Sequence, residues 1–373
     1  MFWVDRLLQS LNLKKIRLIE LIIVFILGLI PIFWVKNGYF FANGDDFPLF
    51  LNSHQTFTTG ASLWSFNYLG SATPMPAYLI YQYPAAFLSS LGLGVTSIQT
   101  LFQVFLFMLA GFSMYYLTTQ IYPESKISPF IASLFYMFNF FFLINMRNIG
   151  FLWTYAFLPV ILALFFKIMS ATYQGDKKKA NKNIIYFALV SVVALSFASI
   201  NPANVALFLI GLALLAVYSL FKFRHRLKPF FVTLAKIVGV TFPINLWWLI
   251  PVLNSFIFSG QALNSQVSIN AWSWTQARAS FLNLFWLNGS WNWSAEFYPY
   301  TGSYTNSVLA FLVFAPFLLG ASALLFKSNK SRFNAFLMAV TLFFLFMAKG
   351  LHEPFSQLNL LLYQYLPLMS MFR

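Results

Sequence analysis

LKKIRLIELIIVFILGLIPIFWVK, residues 13–36, decides the fold. Three basic residues, Lys14, Lys15 and Arg17, stand before an apolar run from Leu18 to Val35. A bilayer core needs about 20 apolar residues per helix, and this run supplies them. It is too long for a signal peptide, and no small-x-small cleavage site follows it. It therefore reads as a membrane anchor that stays in the protein. The basic residues place its N-terminus in the cytoplasm.

The same pattern repeats along the chain. Of its 373 residues 60% are hydrophobic, 21% aromatic and only 8% charged, and mean hydropathy is +0.73. Soluble domains carry about 25% charged residues, so lipid is the solvent for most of this chain. After the first span at 18–35, apolar runs fall at 97–120, 129–145, 150–170, 184–199, 203–221, 231–252, 306–326 and 333–348. The expected fold is an all-α polytopic membrane protein of about nine spans, forming one domain over residues 1–373. Ser128–Pro129 and Asn201–Pro202 have the cap-plus-proline form of a helix start. The strict alternation of a transmembrane β-barrel is missing.

Charge orients the bundle. Lys36, Arg147, Arg278, Lys349 and Arg373 fall in outer segments, and about eighteen of the 23 basic residues fall in or beside inner ones. The net charge of +15 thus follows the positive-inside rule and argues against a nucleic-acid partner. There are no cysteines, which excludes disulfides and thiolate metal sites. The inner loops are short. The long outer segments, 36–95 and 254–305, are where function is expected, at the outer face of a bacterial or archaeal plasma membrane. The apolar, proline-broken tail 350–373 reads as an interfacial or re-entrant helix.

Within 36–95 the acidic pair Asp45–Asp46 stands out, because the whole chain holds only 8 acids. Two adjacent carboxylates repel, so one of them holds a raised pKa or the pair shares a cation. Chemistry suited to that position is removal of a proton from a hydroxyl at the outer face. The plain alternative is a solvated loop that caps the helix beginning near Phe47. His54 follows as a possible hydrogen-bond partner or as an ordinary surface residue. Two acids and one His lack the spacing of a zinc site. A loosely held Mg²⁺ or Mn²⁺ on Asp45 and Asp46 is compatible with the residues.

Other outer residues add polar recognition. Arg147, flanked by Asn145 and Asn148, fits either a two-pronged phosphate contact or an interfacial anchor. Five of the 11 tryptophans lie close together at Trp272, Trp274, Trp286, Trp291 and Trp293. Aromatic faces of this kind stack on sugars, and they also form belts at the lipid interface. Glu296 is the one acid among them and can orient a sugar hydroxyl. Lys349, His352 and Glu353 begin the tail that ends at Arg373.

Several short stretches together resemble a family. They are Gly44-Asp-Asp46 with Leu63-Trp-Ser65 and Gly70; Pro84, Leu91-Gly92 and Gln99; and Gly111-Phe-Ser-Met-Tyr115. Further along come Asn145 to Arg147, Ser199-Ile-Asn-Pro-Ala-Asn204, Leu246-Trp-Trp-Leu-Ile-Pro251, and Leu366-Pro367 with Met371-Phe-Arg373. In order and placement the chain resembles GT-C membrane glycosyltransferases, and more closely the N-terminal membrane region of the mycobacterial arabinofuranosyltransferase family. The resemblance implies a GT-C-like fold and a polyprenyl-phosphate sugar as donor, with a cell-envelope glycan or lipid as acceptor. It implies an inverting reaction with Asp45 or Asp46 as general base. Arg147, Arg278, Lys349 or Arg373 would then stabilise the departing phosphate, and Asn145, Asn201 and Asn204 would line outer turns near the substrates. Members of that family are much longer and carry soluble carbohydrate-binding domains. This sequence stops inside a motif, so a fragment or reduced relative is expected. Two other readings compete. One is a transporter or flippase of lipid-linked saccharides, and the other is a non-catalytic assembly subunit.

Overall fold

The computed structural model describes residues 2–35, 38–40, 51–65, 71–73, 75–146, 148–199, 201–259, 277–285, 317–318, 320–322 and 331–365. They form helices α1 (Phe2–Gly28), α2 (Ser53–Gly60), α3 (Leu79–Ser90), α4 (Val95–Ile121), α5 (Ser128–Met137), α6 (Phe140–Ile144), α7 (Ile149–Tyr173), α8 (Lys177–Ala198), α9 (Pro202–Lys222) and α10 (Leu227–Ser259). Then come α11 (Phe281–Phe285), α12 (Ser331–Ala348) and α13 (Ser356–Tyr365). A short antiparallel ladder pairs Trp64 with Ala72 and Ser65 with Ser71.

Seven of the described helices are long and apolar enough to cross a membrane, so the chain is an all-α polytopic membrane protein. They are α1, α4, α7, α8, α9, α10 and α12. The third expected span, 129–145, is a shorter apolar stretch whose first helix ends at Met137, before Phe138. The eighth, 306–326, lies mostly outside the described residues. The tail supplies α13, as the apolar pattern of 350–373 suggests.

Local chemistry starts the helices. Asn148 Oδ1 accepts from Phe151 N at 3.0 Å, Asp176 Oδ1 from Lys179 N at 2.9 Å, and Asn201 Oδ1 from Ala203 N at 3.0 Å. Each satisfies one amide that the first turn leaves without a carbonyl. Ser128 differs from its sequence reading. It is already helical, and the hydroxyl that receives its N–H, at 3.1 Å, belongs to Ser125.

The residues form two compact units, Met1–Phe138 with Asn145–Leu263 and Asn139–Ile144 with Asn264–Arg373. In the first, α7 is the central helix, packed along α4, α8 and α9. Its apolar window is 61% buried, against 22% for α9 and α10, so α7 is the core of this unit. Apolar surface gains little by leaving lipid, so helices associate through close backbone approach and hydrogen bonds. Small residues supply the approach: Ala156, Ala163 and Ala171 of α7 and Ala188, Ala194 and Ala198 of α8 are all buried. Hydrogen bonds supply the rest. Ser133 donates to Gly111 O at 2.9 Å, and Tyr136 and Tyr155 each donate to the other's carbonyl at 2.8 Å with stacked rings.

Gly111 marks the tightest point of α1, α4 and α5. A Cβ there would lie 2.5 Å from Met137 Sδ and 2.8 Å from Val24 Cγ1. Gly111→Val is expected to destabilise the fold by about 1–3 kcal/mol through overpacking. Gly239→Ala is the control, because its new Cβ meets nothing within 4 Å. Thermal unfolding in detergent should separate the two, with the first melting earlier and the second no earlier than the parent.

Candidate functional site

The two ends of the first unit differ in chemistry. One end joins the C-termini of α4, α7 and α9 to the N-termini of α5, α8 and α10. It holds Lys126, Lys177, Lys178, Lys179, Lys182, Lys222, Arg224, Arg226 and Lys228. Lys222 stands over the Tyr173 ring at 4.5 Å, Lys236 reaches Asn181 Oδ1 at 3.4 Å, and Arg17 donates to the Pro123 carbonyl. The other end joins the starts of α4, α7 and α9 to the end of α8. Its described residues carry amides and aromatic rings in place of cations.

That second end is roofed. Met75–Tyr78 and α3 pack on α8, α10 and α4. Ala77 forms a core with Trp248 and Val252. Tyr81 stacks on Phe197 and tilts against Phe102, with both ring centroids at 4.8 Å. Helix α2 lies on α3. So the segment after Asp45–Asp46 is a helical cover seated on the bundle.

Beneath the cover runs an apolar groove of about 790 Å³. Phe57 of α2, Tyr83 of α3, Leu101 and Phe105 of α4, and Trp153 of α7 are among its walls. Trp153 is fixed there by its indole N–H, which donates to Val193 O at 3.0 Å. None of the described lining side chains is charged.

Buried amides lie in α3 and α4, two of the helices that wall this groove. Gln82, 1% exposed, sits where α3 crosses α2, and a Cβ on Gly60 would fall 2.0 Å from its Oε1. Neither its Oε1 nor its Nε2 has a hydrogen-bond partner. Gln103 donates to Met146 O at 3.4 Å, while its Oε1 has no partner. Gln99, one turn earlier on the same face, is also buried. A buried polar group left unpaired costs about 1–3 kcal/mol, so each one calls for an explanation.

The residues singled out in the sequence divide three ways. Asp45, Asp46, Arg147, Trp272, Trp274, Glu296 and Arg373 lie outside the described residues. His54, Asn145, Asn201 and Asn204 belong to the first unit. His54 is exposed on α2, one turn before Phe57. Asn145 lies in the turn before α7, where its carbonyl accepts from Asn148 N at 2.8 Å. Asn201 is occupied as a cap, and Asn204, 3% exposed, reaches Gly150 O at 3.5 Å. The two Asn residues thus brace α9 and its junction with α7. Among the described residues no three His, Asp or Glu side chains converge on a metal position, and the carboxylates considered for Mg²⁺ or Mn²⁺ lie beyond them.

Arg278, Lys349 and His352 belong to the second unit, where α11 packs on α12. Lys349 is fully buried just past the end of α12. Its ammonium donates to His352 O at 2.7 Å and Gly350 O at 3.3 Å, and it stands 4.8 Å from the Phe346 ring centroid and 6.0 Å from that of Phe281. Asn359 adds bonds to Gly350 O at 2.7 Å and Phe346 O at 2.9 Å. Lys349 therefore clasps the turn that follows α12, and Asn359 takes the Phe346 carbonyl, one of those the last helical turn leaves without an amide. The Arg278 carbonyl accepts from Asn283 at 2.8 Å, and its Nε has no partner.

Burial pulls the Lys349 pKa below the ordinary lysine value of 10.5, and the Glu353 carboxylate opposes that only in part. Between the depressed native value and 10.5 the unfolded chain binds more protons than the folded one. Stability therefore rises with pH across that window. Unfolding measured on either side of it should show a gain for the parent and none for Lys349→Met.

Sequence reading missed the amide group on α3 and α4, although Gln99 and Gln103 are four apart in an apolar helix and so share a face. It also missed Glu20, an acid inside the first apolar run. Glu20 is 6% exposed and accepts from the Tyr115 hydroxyl at 2.7 Å, tying α1 to α4. No family model, curated protein or solved structure matches the chain.

Proposed function

We propose that this protein is a GT-C-type membrane glycosyltransferase working at the non-cytoplasmic face, as its resemblance to arabinofuranosyltransferase membrane regions suggests. The acceptor hydroxyl oxygen attacks the anomeric carbon of a polyprenyl-phosphate sugar. The bond from that carbon to the phosphate oxygen breaks, and the bonding pair leaves with the phosphate. The hydroxyl proton passes to Asp45 or Asp46. The observation that carries this reading is the roofed end of the first unit. The helices that follow the acidic pair are seated over an apolar groove suited to a lipid chain, away from the basic clusters. By the positive-inside rule those clusters mark the cytoplasm.

A second reading draws on Glu20 and on Lys167, whose ammonium donates to the Tyr116 hydroxyl at 2.9 Å. Ionisable groups inside spans mark transport paths in many membrane proteins, so a flippase of lipid-linked saccharides is the alternative. The deciding experiment reconstitutes the protein in liposomes with a panel of polyprenyl-phosphate sugars and follows both products and lipid movement. New glycoside that disappears in Asp45→Asn or Asp46→Asn supports transfer. Saccharide movement without any product would overturn it in favour of the flippase.

A further inference from the structure

Lys236 is a cation inside a membrane helix. It lies about 14 Å along the axis of α10 from Leu227, within a stretch long and apolar enough to cross a bilayer. It is exposed, and Val232 and Val240, one turn to either side on the same face, are exposed with it. A lysine in that position extends its stem to carry the ammonium toward polar ground. Here that ground is Asn181 of α8, whose Oδ1 is 3.4 Å from Lys236 Nζ. An ammonium has three donors, and Asn181 is the one acceptor it reaches among the described residues.

The two helices run side by side from that point, since Asn245 of α10 donates to Ser191 of α8 at 3.0 Å. On α8, Lys178, Asn181, Lys182 and Ile185 share one face and are all exposed. Lys182 stands over the Tyr186 ring at 5.6 Å. Ile185, 54% exposed, and Leu189, 58% exposed, continue that face as an apolar track. Neither α8 nor α10 contains an acid, and Asp176, just ahead of α8, is engaged as its cap. The seam thus joins cations from two helices to apolar tracks that lead away from them.

We propose that this seam binds an anionic phospholipid. Its phosphate is received by Lys236 and Lys182, and its acyl chains lie along Ile185 and Leu189 of α8 and Val240 of α10. Charge complementarity selects the head, because the ammonium groups attract a phosphate and no carboxylate of either helix competes for them. The tracks select a lipid, because a soluble phosphate would leave them uncovered. The site is independent of the glycosyltransferase reading.

The test uses the full-length protein in phosphatidylcholine nanodiscs carrying one of two chain-diazirine probes, a phosphatidylglycerol or a phosphatidylcholine with the same acyl chains. Phosphatidylglycerol is expected to label peptides containing Ile185, Leu189 or Val240 more heavily than phosphatidylcholine does. Lys236→Gln should cut that labelling about fivefold, the usual share of one basic residue at an anionic surface. Lys236→Arg, which keeps the charge, should retain most of it. Lys182→Gln should lower it as well, and it leaves the contact between Lys236 and Asn181 in place. Lys126→Gln, at the same end of the unit but on neither helix, should leave labelling unchanged. Equal labelling by the two probes, or equal losses in Lys126→Gln and Lys236→Gln, would overturn the site. Displacement of the probe by millimolar inorganic phosphate would overturn the lipid in favour of a soluble anion.

Discussion

Asparagine at Asp45 or Asp46 is expected to slow sugar transfer by about 10²–10⁴-fold, the usual contribution of a general base. That range equals about 2.7–5.4 kcal/mol of transition-state stabilisation. Asparagine keeps the size of the side chain and most of its hydrogen bonding, but it cannot take the acceptor proton. The two positions should differ. The carboxylate that meets the hydroxyl carries most of the loss, and its neighbour acts through charge and orientation. Melting temperature and membrane insertion should be unchanged, since the substitution alters no side chain of α4, α7 or α8. Initial rates in liposomes provide the measure. If both single variants and the double variant transfer at the parental rate, the acidic pair is not the base.

Tyr115→Phe is expected to be the most damaging single-atom deletion in the first unit. It strips the hydroxyl from Glu20, a side chain only 6% exposed. A buried polar group that loses its hydrogen-bond partner costs about 1–3 kcal/mol. Glu20→Gln should cost less, because the amide oxygen still accepts from Tyr115. In the double variant the loss from Tyr115→Phe should shrink, giving a coupling energy of about 0.5–3 kcal/mol in a double-mutant cycle. Unfolding in mixed micelles would measure it. Additive effects would mean that the 2.7 Å contact contributes nothing to holding α1 on α4.

These two predictions draw on different kinds of information. Asp45 and Asp46 were visible as sequence because acids are scarce in this chain. Glu20 was hidden within a run whose average hydropathy says only membrane. Its partner is 95 positions away, and nothing local announces Tyr115. The amide caps tell the opposite story. Asn201 and Asp176 act on the amide two or three residues ahead, so their role is written in the next turn of chain. Ser125 shows the limit of that logic. A serine that fits the cap pattern at 128 yields to one three residues earlier, because the turn geometry chooses between them.

Sequence by itself determined that this chain is a helical membrane protein, where its long spans fall and how its basic residues divide. Those properties follow from solvent and from periodicity, which act on each segment separately. Only the tertiary structure decided that α2, Met75–Tyr78 and α3 form a cover, that α4 and α7 wall an apolar groove with it, and that Gln82 of α3 is buried unpaired. It alone turned Lys349 from an available cation into the clasp of the turn after α12. A side chain's burial and its partners depend on which distant helix faces it. That choice is made by packing, through glycine notches and small-residue contacts that no local window contains.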